Sequence, residues 1–227
     1  MAFKKKTEAE IINVQAPNMK IATLEVIGNA PFYYNKWPHD SFKTMRDNMA
    51  SGTTAKARAK VEGRKGRDFH AQYLQSVHFA VEGWHGIPTT AFQQAIVRAA
   101  SDVKPVLEMT QLKRCISVQP EGFAEDGFPL VKVLDRELEY NERPVRLKDG
   151  SASIVAVGRL SPGWRVVLRI MYDADKYSTQ TIANLVVRAG IGVGVGAGRP
   201  ASKSSCGMGW GTFTVSNFSE EEKIAAE

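Results

Sequence analysis

The sequence predicts an α+β fold with a mostly antiparallel sheet, and three observations carry that prediction. Short β-branched segments outnumber amphipathic segments of helical period. The connections are too short for repeated βαβ units. Turn signals such as Asp149-Gly150 and Ser161-Pro162-Gly163 separate the later strands.

The first ten residues are polar, and strand chemistry follows at Lys20–Ile27, punctuated by Gly28-Asn29 and Pro31. Residues 41–68 show no sustained apolar period and read as a basic, flexible insertion with one short helix near Ser41–Ala50. Tyr73–Val81 alternates loosely and reads as the second strand. Phe92, Ala95, Ile96 and Ala99 fall at helical spacing behind Thr89 and Thr90, either of which can cap the helix. Strands are expected at Lys113–Val118, Leu130–Leu134, Tyr140–Leu147, Ile154–Leu160 and Trp164–Tyr172. A second amphipathic helix covers Thr179–Gly190, ended by its glycine. A glycine-dense segment then leads to a last strand at Gly211–Phe218 and an acidic tail at 219–227. The 227 residues fit a single domain.

Composition excludes several classes. Hydrophobic residues at 43% and charged residues at 24% are globular proportions. No apolar run is long enough for a membrane helix, and no apolar stretch follows the basic N-terminus as a secretory signal requires. Cys115 and Cys206 match no zinc or disulfide framework, so the expected setting is reducing and cytoplasmic, with no metal and no cofactor.

The net charge of +6 is concentrated. Lys43, Arg46, Lys56, Arg58, Lys60, Arg64, Lys65 and Arg67 stand against only Asp47 and Glu62, and the rest of the chain is nearly neutral. A basic arm on a neutral body points to a polyanion partner, the alternative being a solvated loop.

The glycine-dense segment 190–211 fails the obvious phosphate motifs. A P-loop would need glycine where Ala197 and Ser202 stand. The nominal dinucleotide match from Gly196 through Gly198 to Ala201 contains Pro200 and follows a helix rather than a strand. What remains is Gly192, Gly194, Gly196 and Gly198, then Gly207, Gly209 and Gly211, with Arg199 and Lys203 between. A flexible loop with free N–H groups and two cations can cradle a nucleic-acid backbone, and a structural loop packed on a helix is the alternative. Phe32, Tyr33, Tyr34, Trp37, Phe69, Tyr73, Trp84 and Trp210 flank basic or glycine-rich segments. Exposed aromatics of this kind stack bases. The alternatives are core packing for Phe32, Phe69 and Trp84, and a plug of the loop onto the sheet for Trp210.

The stretch Gly86-Ile-Pro-Thr-Thr-Ala-Phe-Gln-Gln-Ala-Ile-Val-Arg98 resembles the helix start of the RAMP superfamily. Gly192 through Gly207-Met-Gly-Trp-Gly211 to Phe213 is similar to that superfamily's C-terminal glycine-rich loop running into a last strand. RAMP proteins include backbone and crRNA-processing subunits of CRISPR effectors. The resemblance implies a ferredoxin-like (RRM-like) domain, a divergent member of phage or mobile-element origin, and RNA over DNA as the ligand.

The expected function is single-stranded nucleic-acid binding without chemistry, the protein coating the strand as a homo-oligomer, with other effector subunits as further partners. Arg98, Arg199, Lys203 and the basic arm contact phosphates, and Tyr33, Tyr34 or Trp37 stack on bases. Two alternatives stand beside it. One is a metal-independent RAMP-like endoribonuclease using His39 or His85 as general acid/base, and the other is a structural viral assembly subunit.

Overall fold

The computed structural model describes residues 15–52, 66–103, 105–146, 150–203 and 207–221. Its centre is a four-stranded antiparallel sheet of β1 (Met19–Gly28), β4 (Ile116–Gln119), β9 (Arg165–Asp173) and β10 (Phe213–Glu221), in the order β10-β1-β9-β4. Counted along the chain as first to fourth, these strands lie 4-1-3-2, and helices stand in the chain between the first and second and between the third and fourth. Period-two alternation sets the buried face. Ala22, Leu24 and Val26 of β1 and Val166, Leu168, Ile170 and Tyr172 of β9 point inward.

Two helices supply the other half of this core. Helix α3 (Thr89–Ala99) buries Phe92, Ala95, Ile96 and Ala99, and α5 (Thr179–Arg188) buries Ile182, Ala183, Leu185 and Val186. Each of the buried Phe, Ile, Leu and Val side chains contributes about 1.5–3 kcal/mol. Ser178 caps α5 by accepting the N–H of Thr181 at 3.2 Å. Neither Thr89 nor Thr90 caps α3. The strand β3 (Gly86–Pro88) runs directly into the helix, Pro88 occupies the cap, and both threonines are already helical.

Gly190 does not end α5. The chain widens into a π turn over Ala189–Val193, and Gly194, at φ +69°, closes it by donating its N–H to the carbonyl of Ala189 at 2.8 Å. Gly190 serves contact instead. A Cβ there would sit 2.1 Å from the carbonyl oxygen of Phe213, so α5 meets β10 at backbone distance.

Around this unit lie smaller elements: β2 (Phe32–Tyr33), β7 (Glu139–Arg146) and β8 (Ala152–Leu160) in the order β2-β8-β7, and β5 (Gly122–Phe123), β6 (Pro129–Lys132) and β3 in the order β3-β6-β5. Five α-helices occur among the described residues, where the sequence leads to two main ones and a short one. Helix α1 (His39–Ser51) occupies the start of the expected basic insertion, and residues 53–65 of that insertion lie outside the described residues.

Tyr73–Val81 is not a strand. Helix α2 (Phe69–Ser76) takes its first four residues, begun by Asp68, whose carboxylate accepts the N–H of Ala71 at 2.9 Å. The helix seats on β8: Gln72 and Ser76 accept the backbone N–H groups of Ala156 and Gly158. Lys113–Val118 likewise divides into helix α4 (Met109–Cys115) and β4. The remaining strands and α5 start within two residues of their expected positions.

Candidate nucleic-acid interface

Helix α3 turns Phe92, Ile96 and Ala99 into the core, which leaves Thr90, Gln94 and Arg98, four residues apart, as a ridge on its outer side. A cleft runs along each flank of that ridge, and all three residues line both. The first cleft, about 220 Å³, lies between α3 and the glycine loop and receives Arg199, Asn35 and Phe32. The second, about 660 Å³, opens toward α4 and receives Gln93, Met109, Lys113 and Lys203.

Arg98, Lys113, Arg199 and Lys203 therefore converge on one surface from α3, α4 and the loop. No carboxylate lines either cleft among the described residues. Unopposed charges of one sign in neighbouring grooves reinforce one another and attract a polyanion. The ridge adds neutral donors and acceptors in Thr90, Gln93 and Gln94.

The loop that carries Arg199 is not a flexible strip with free N–H groups. The N–H of Val195 is given to the carbonyl of Gly211, that of Gly211 to Pro31, and that of Ala197 to Tyr33. Trp210 donates its N–H to Gly198, and Ala201 to Val193. A Cβ at Gly211, where φ is +65°, would lie 1.8 Å from the carbonyl oxygen of Val195. At Gly196 the nearest atoms are the Phe32 ring and the Tyr33 carbonyl, and at Gly198 the Trp210 ring. These glycines permit backbone to lie on backbone and ring. Gly207 and Gly209 adopt positive φ in open space, and Gly192 is exposed. The cations of the loop act through their side chains, and Arg199 is oriented by donating from Nη1 to the carbonyl of Gly196 at 2.9 Å.

The other sequence-derived candidates are dispersed. Lys43 and Arg46 are exposed on α1, and Arg46 lies 3.8 Å from Asp47. Lys56, Arg58, Lys60, Arg64 and Lys65 lie outside the described residues. Arg67 donates to the Ser153 hydroxyl at 2.8 Å and the Ile154 carbonyl at 3.1 Å, which ties the end of the arm to β8.

Of the three stacking candidates, Trp37 is 64% exposed and presents a ring to solvent. Tyr34 is buried beside Phe32, and its hydroxyl meets Nδ1 of His85 at 3.0 Å. Burial raises the phenol's pKa far above its ordinary value and lowers that of His85. Tyr34 has no surface on which a base can stack, because alternation along the strand turns it inward. Tyr33 faces the other way, and its ring is covered by Trp210. His39 is exposed in the first turn of α1, whereas His85 is half-buried against Tyr34.

Lys113 was not among the sequence-derived candidates, because it was assigned to a strand. The helical spacing of Leu112 and Cys115, both buried in α4, carried the signal that turns Lys113 outward.

No protein-family model matches the sequence, and no curated protein matches it. In structure it is similar to a chain of the cryo-EM structure of the type III-B Cmr-beta bound to cognate target RNA. The identity is 14% and the TM-score 0.47, covering 89% of this chain and 61% of that chain. The chain thus spans less than two thirds of that one's length. Among the described residues no helix is long and apolar enough to cross a membrane.

Proposed function

We propose that this chain is a ferredoxin-like protein that binds single-stranded nucleic acid on the outer side of α3, and that successive copies coat the strand. The observation that carries the reading is the convergence of Arg98, Lys113, Arg199 and Lys203 on two adjoining clefts that no described carboxylate lines. The 4-1-3-2 antiparallel order with its intervening helices supports the ferredoxin-like assignment. The RAMP resemblance favours RNA over DNA and a place beside other effector subunits.

Phosphates are the part of the ligand that four side-chain cations recognise, so affinity comes mainly from the backbone and carries little sequence preference. Lys43 and Arg46 on α1 add to the field from outside the clefts, and the cations at 56–65 add to the charge that attracts the strand. Trp37, with its open ring, serves as a stacking surface beside them.

Fluorescence anisotropy of labelled single-stranded RNA, single-stranded DNA and duplex DNA of equal length, across a salt series, tests the reading. Each neutralised phosphate on a single strand contributes about 0.7 to the log–log salt slope. Replacing Arg98, Lys113, Arg199 and Lys203 together by alanine is expected to lower that slope by roughly 3. Failure of the wild-type protein to bind any strand at low salt overturns the proposal. Stoichiometry that rises with strand length tests the coating, and oligomers that form equally without nucleic acid favour a structural assembly subunit.

A further inference from the structure

Outside the residues that line the clefts, three side chains distant in sequence form one stack. The rings of Tyr33 and Trp210 have centroids 4.2 Å apart and planes inclined by 38°. The guanidinium carbon of Arg143 lies 4.7 Å from the Trp210 centroid and 5.0 Å from that of Tyr33.

Sheet register explains the meeting. Tyr33 pairs with Arg159, Arg159 with Glu139, and Val155 with Arg143, so alternation puts Tyr33, Val155, Val157, Arg159 and Arg143 on one face of the β2-β8-β7 sheet. The other face carries α2, through Ser76, and the Val77 that follows it lies against Gly158. Trp210 is delivered from the loop, its ring lying where a Cβ on Gly198 would come within 2.2 Å of it.

Arg143 is half-buried and forms no ion pair among the described residues. Its Nε is buried without a hydrogen-bond partner. Structural arginines at such depth are normally paired with a carboxylate, as Arg159 is with Glu139 at 2.5 Å. Arg143 instead spreads a flat cation over two rings. A guanidinium plane backed by aromatics is a surface on which a nucleobase stacks, and its in-plane N–H groups suit phosphate or base oxygens.

We propose that Arg143 and Trp210 form a platform that stacks a base of the bound strand, with Tyr33 as its floor. The platform rests on the strand-binding reading above and adds to it a base contact that the clefts do not supply. Phe32 lines the first cleft while its neighbour Tyr33 floors the platform, so the strand passes over the loop crest between them. Stacking of this kind accepts every base, so it discriminates strands that carry bases from strands that lack them.

The test compares a single-stranded RNA with an abasic strand of the same length and charge, bound to the full-length protein. Wild type is expected to prefer the base-bearing strand by roughly 5- to 150-fold per stacked base. Arg143→Lys, which keeps the charge and loses the plane, is expected to remove most of that preference while leaving the salt slope unchanged. A parallel measurement needs no change at Arg143: acrylamide quenching of wild type and Trp210→Phe, with and without RNA, reports whether Trp210 becomes shielded.

Shielding of Trp210 together with a lost preference in Arg143→Lys supports the platform. Salt-dependent binding with no base preference, or a preference that Arg143→Lys retains, overturns the platform and leaves the phosphate reading standing. Absence of all binding overturns both.

Discussion

The glycine loop and helix α1 sit at opposite ends of a scale of backbone commitment. In the loop, successive N–H groups are given to carbonyls of Pro31, Tyr33, Val193, Gly198 and Gly211, and side chains are absent because other backbone lies where they would be. In α1 the backbone is satisfied within the helix, and the side chains meet little else. Phe42, Met45 and Met49 form an apolar stripe at helical spacing that remains exposed, and Gln75, donating to Asp40 at 3.0 Å, is a tie at the helix start. Both segments carry cations, and in the loop Arg199 is tied to main chain through the Gly196 carbonyl. Precision in a polyanion site comes from hydrogen-bonded main chain beneath the charge, not from the number of charges.

The largest expected effect lies in the loop. Gly211→Ala, strained at positive φ and colliding with the Val195 carbonyl, should cost about 4 kcal/mol, or about 10 °C in Tm. Circular dichroism melts check this, and a melt within 2 °C of wild type would mean that the loop yields where the packing says it cannot.

Next is a pH effect beside the loop's supporting strands. His78 is buried, its Nδ1 has no partner, and burial pushes its pKa down to about 4, with Lys36 adding to the fall. Its folded pKa is below the unfolded value near 6.5, so the unfolded chain takes up the proton first. The stability associated with the neutral ring is fully present above about pH 6.5 and is lost as pH falls toward 4. That loss amounts to about 3 kcal/mol at pH 4. Urea unfolding at pH 7 and pH 4.5 should show a smaller decline in His78→Phe than in wild type, and equal declines would remove His78 as the cause.

In α1 the effects shrink. Gly52→Ala, at φ +64° but with open space around the Cβ, should cost about 1 kcal/mol by the same melts. Met49→Ser, at a position 76% exposed, should change stability by less than about 0.5 kcal/mol. A Met49→Ser protein that unfolds cooperatively several degrees lower would show that α1 is held by contacts the described residues do not provide.

Where one period governed a segment, the sequence already disclosed the fold: β1, β9, α3, α5 and β10 stand near their expected positions because each faces a single core. Tyr73–Val81 misled because Tyr73, Gln75, Val77 and Phe79 mimic alternation, while the deciding signal was Asp68 at the helix start. At the candidate site, Arg98, Arg199 and Lys203 were legible as cations on a helix and a loop. Lys113 was hidden by a wrong element, and Tyr34 was wrongly offered as a stacking ring because its neighbours in sequence do not disclose that it turns into the core. Arg143 was hidden for a deeper reason. Its meeting with Tyr33 and Trp210 exists only once two sheet pairings and the loop are in place, and no local pattern encodes that.

The pairing of β1 with β10, Gly28 opposite Phe213, also governs how the chain must be made. At about 5–20 residues per second, roughly 10–40 s separate synthesis of the first strand from that of the last. Throughout that interval the strand destined for the sheet interior has an open edge. The seam between Gly211 and Val195 cannot yet close. The nascent chain is therefore most exposed to mispairing before its final strand arrives, and slowing synthesis would lengthen the period in which a chaperone has something to hold.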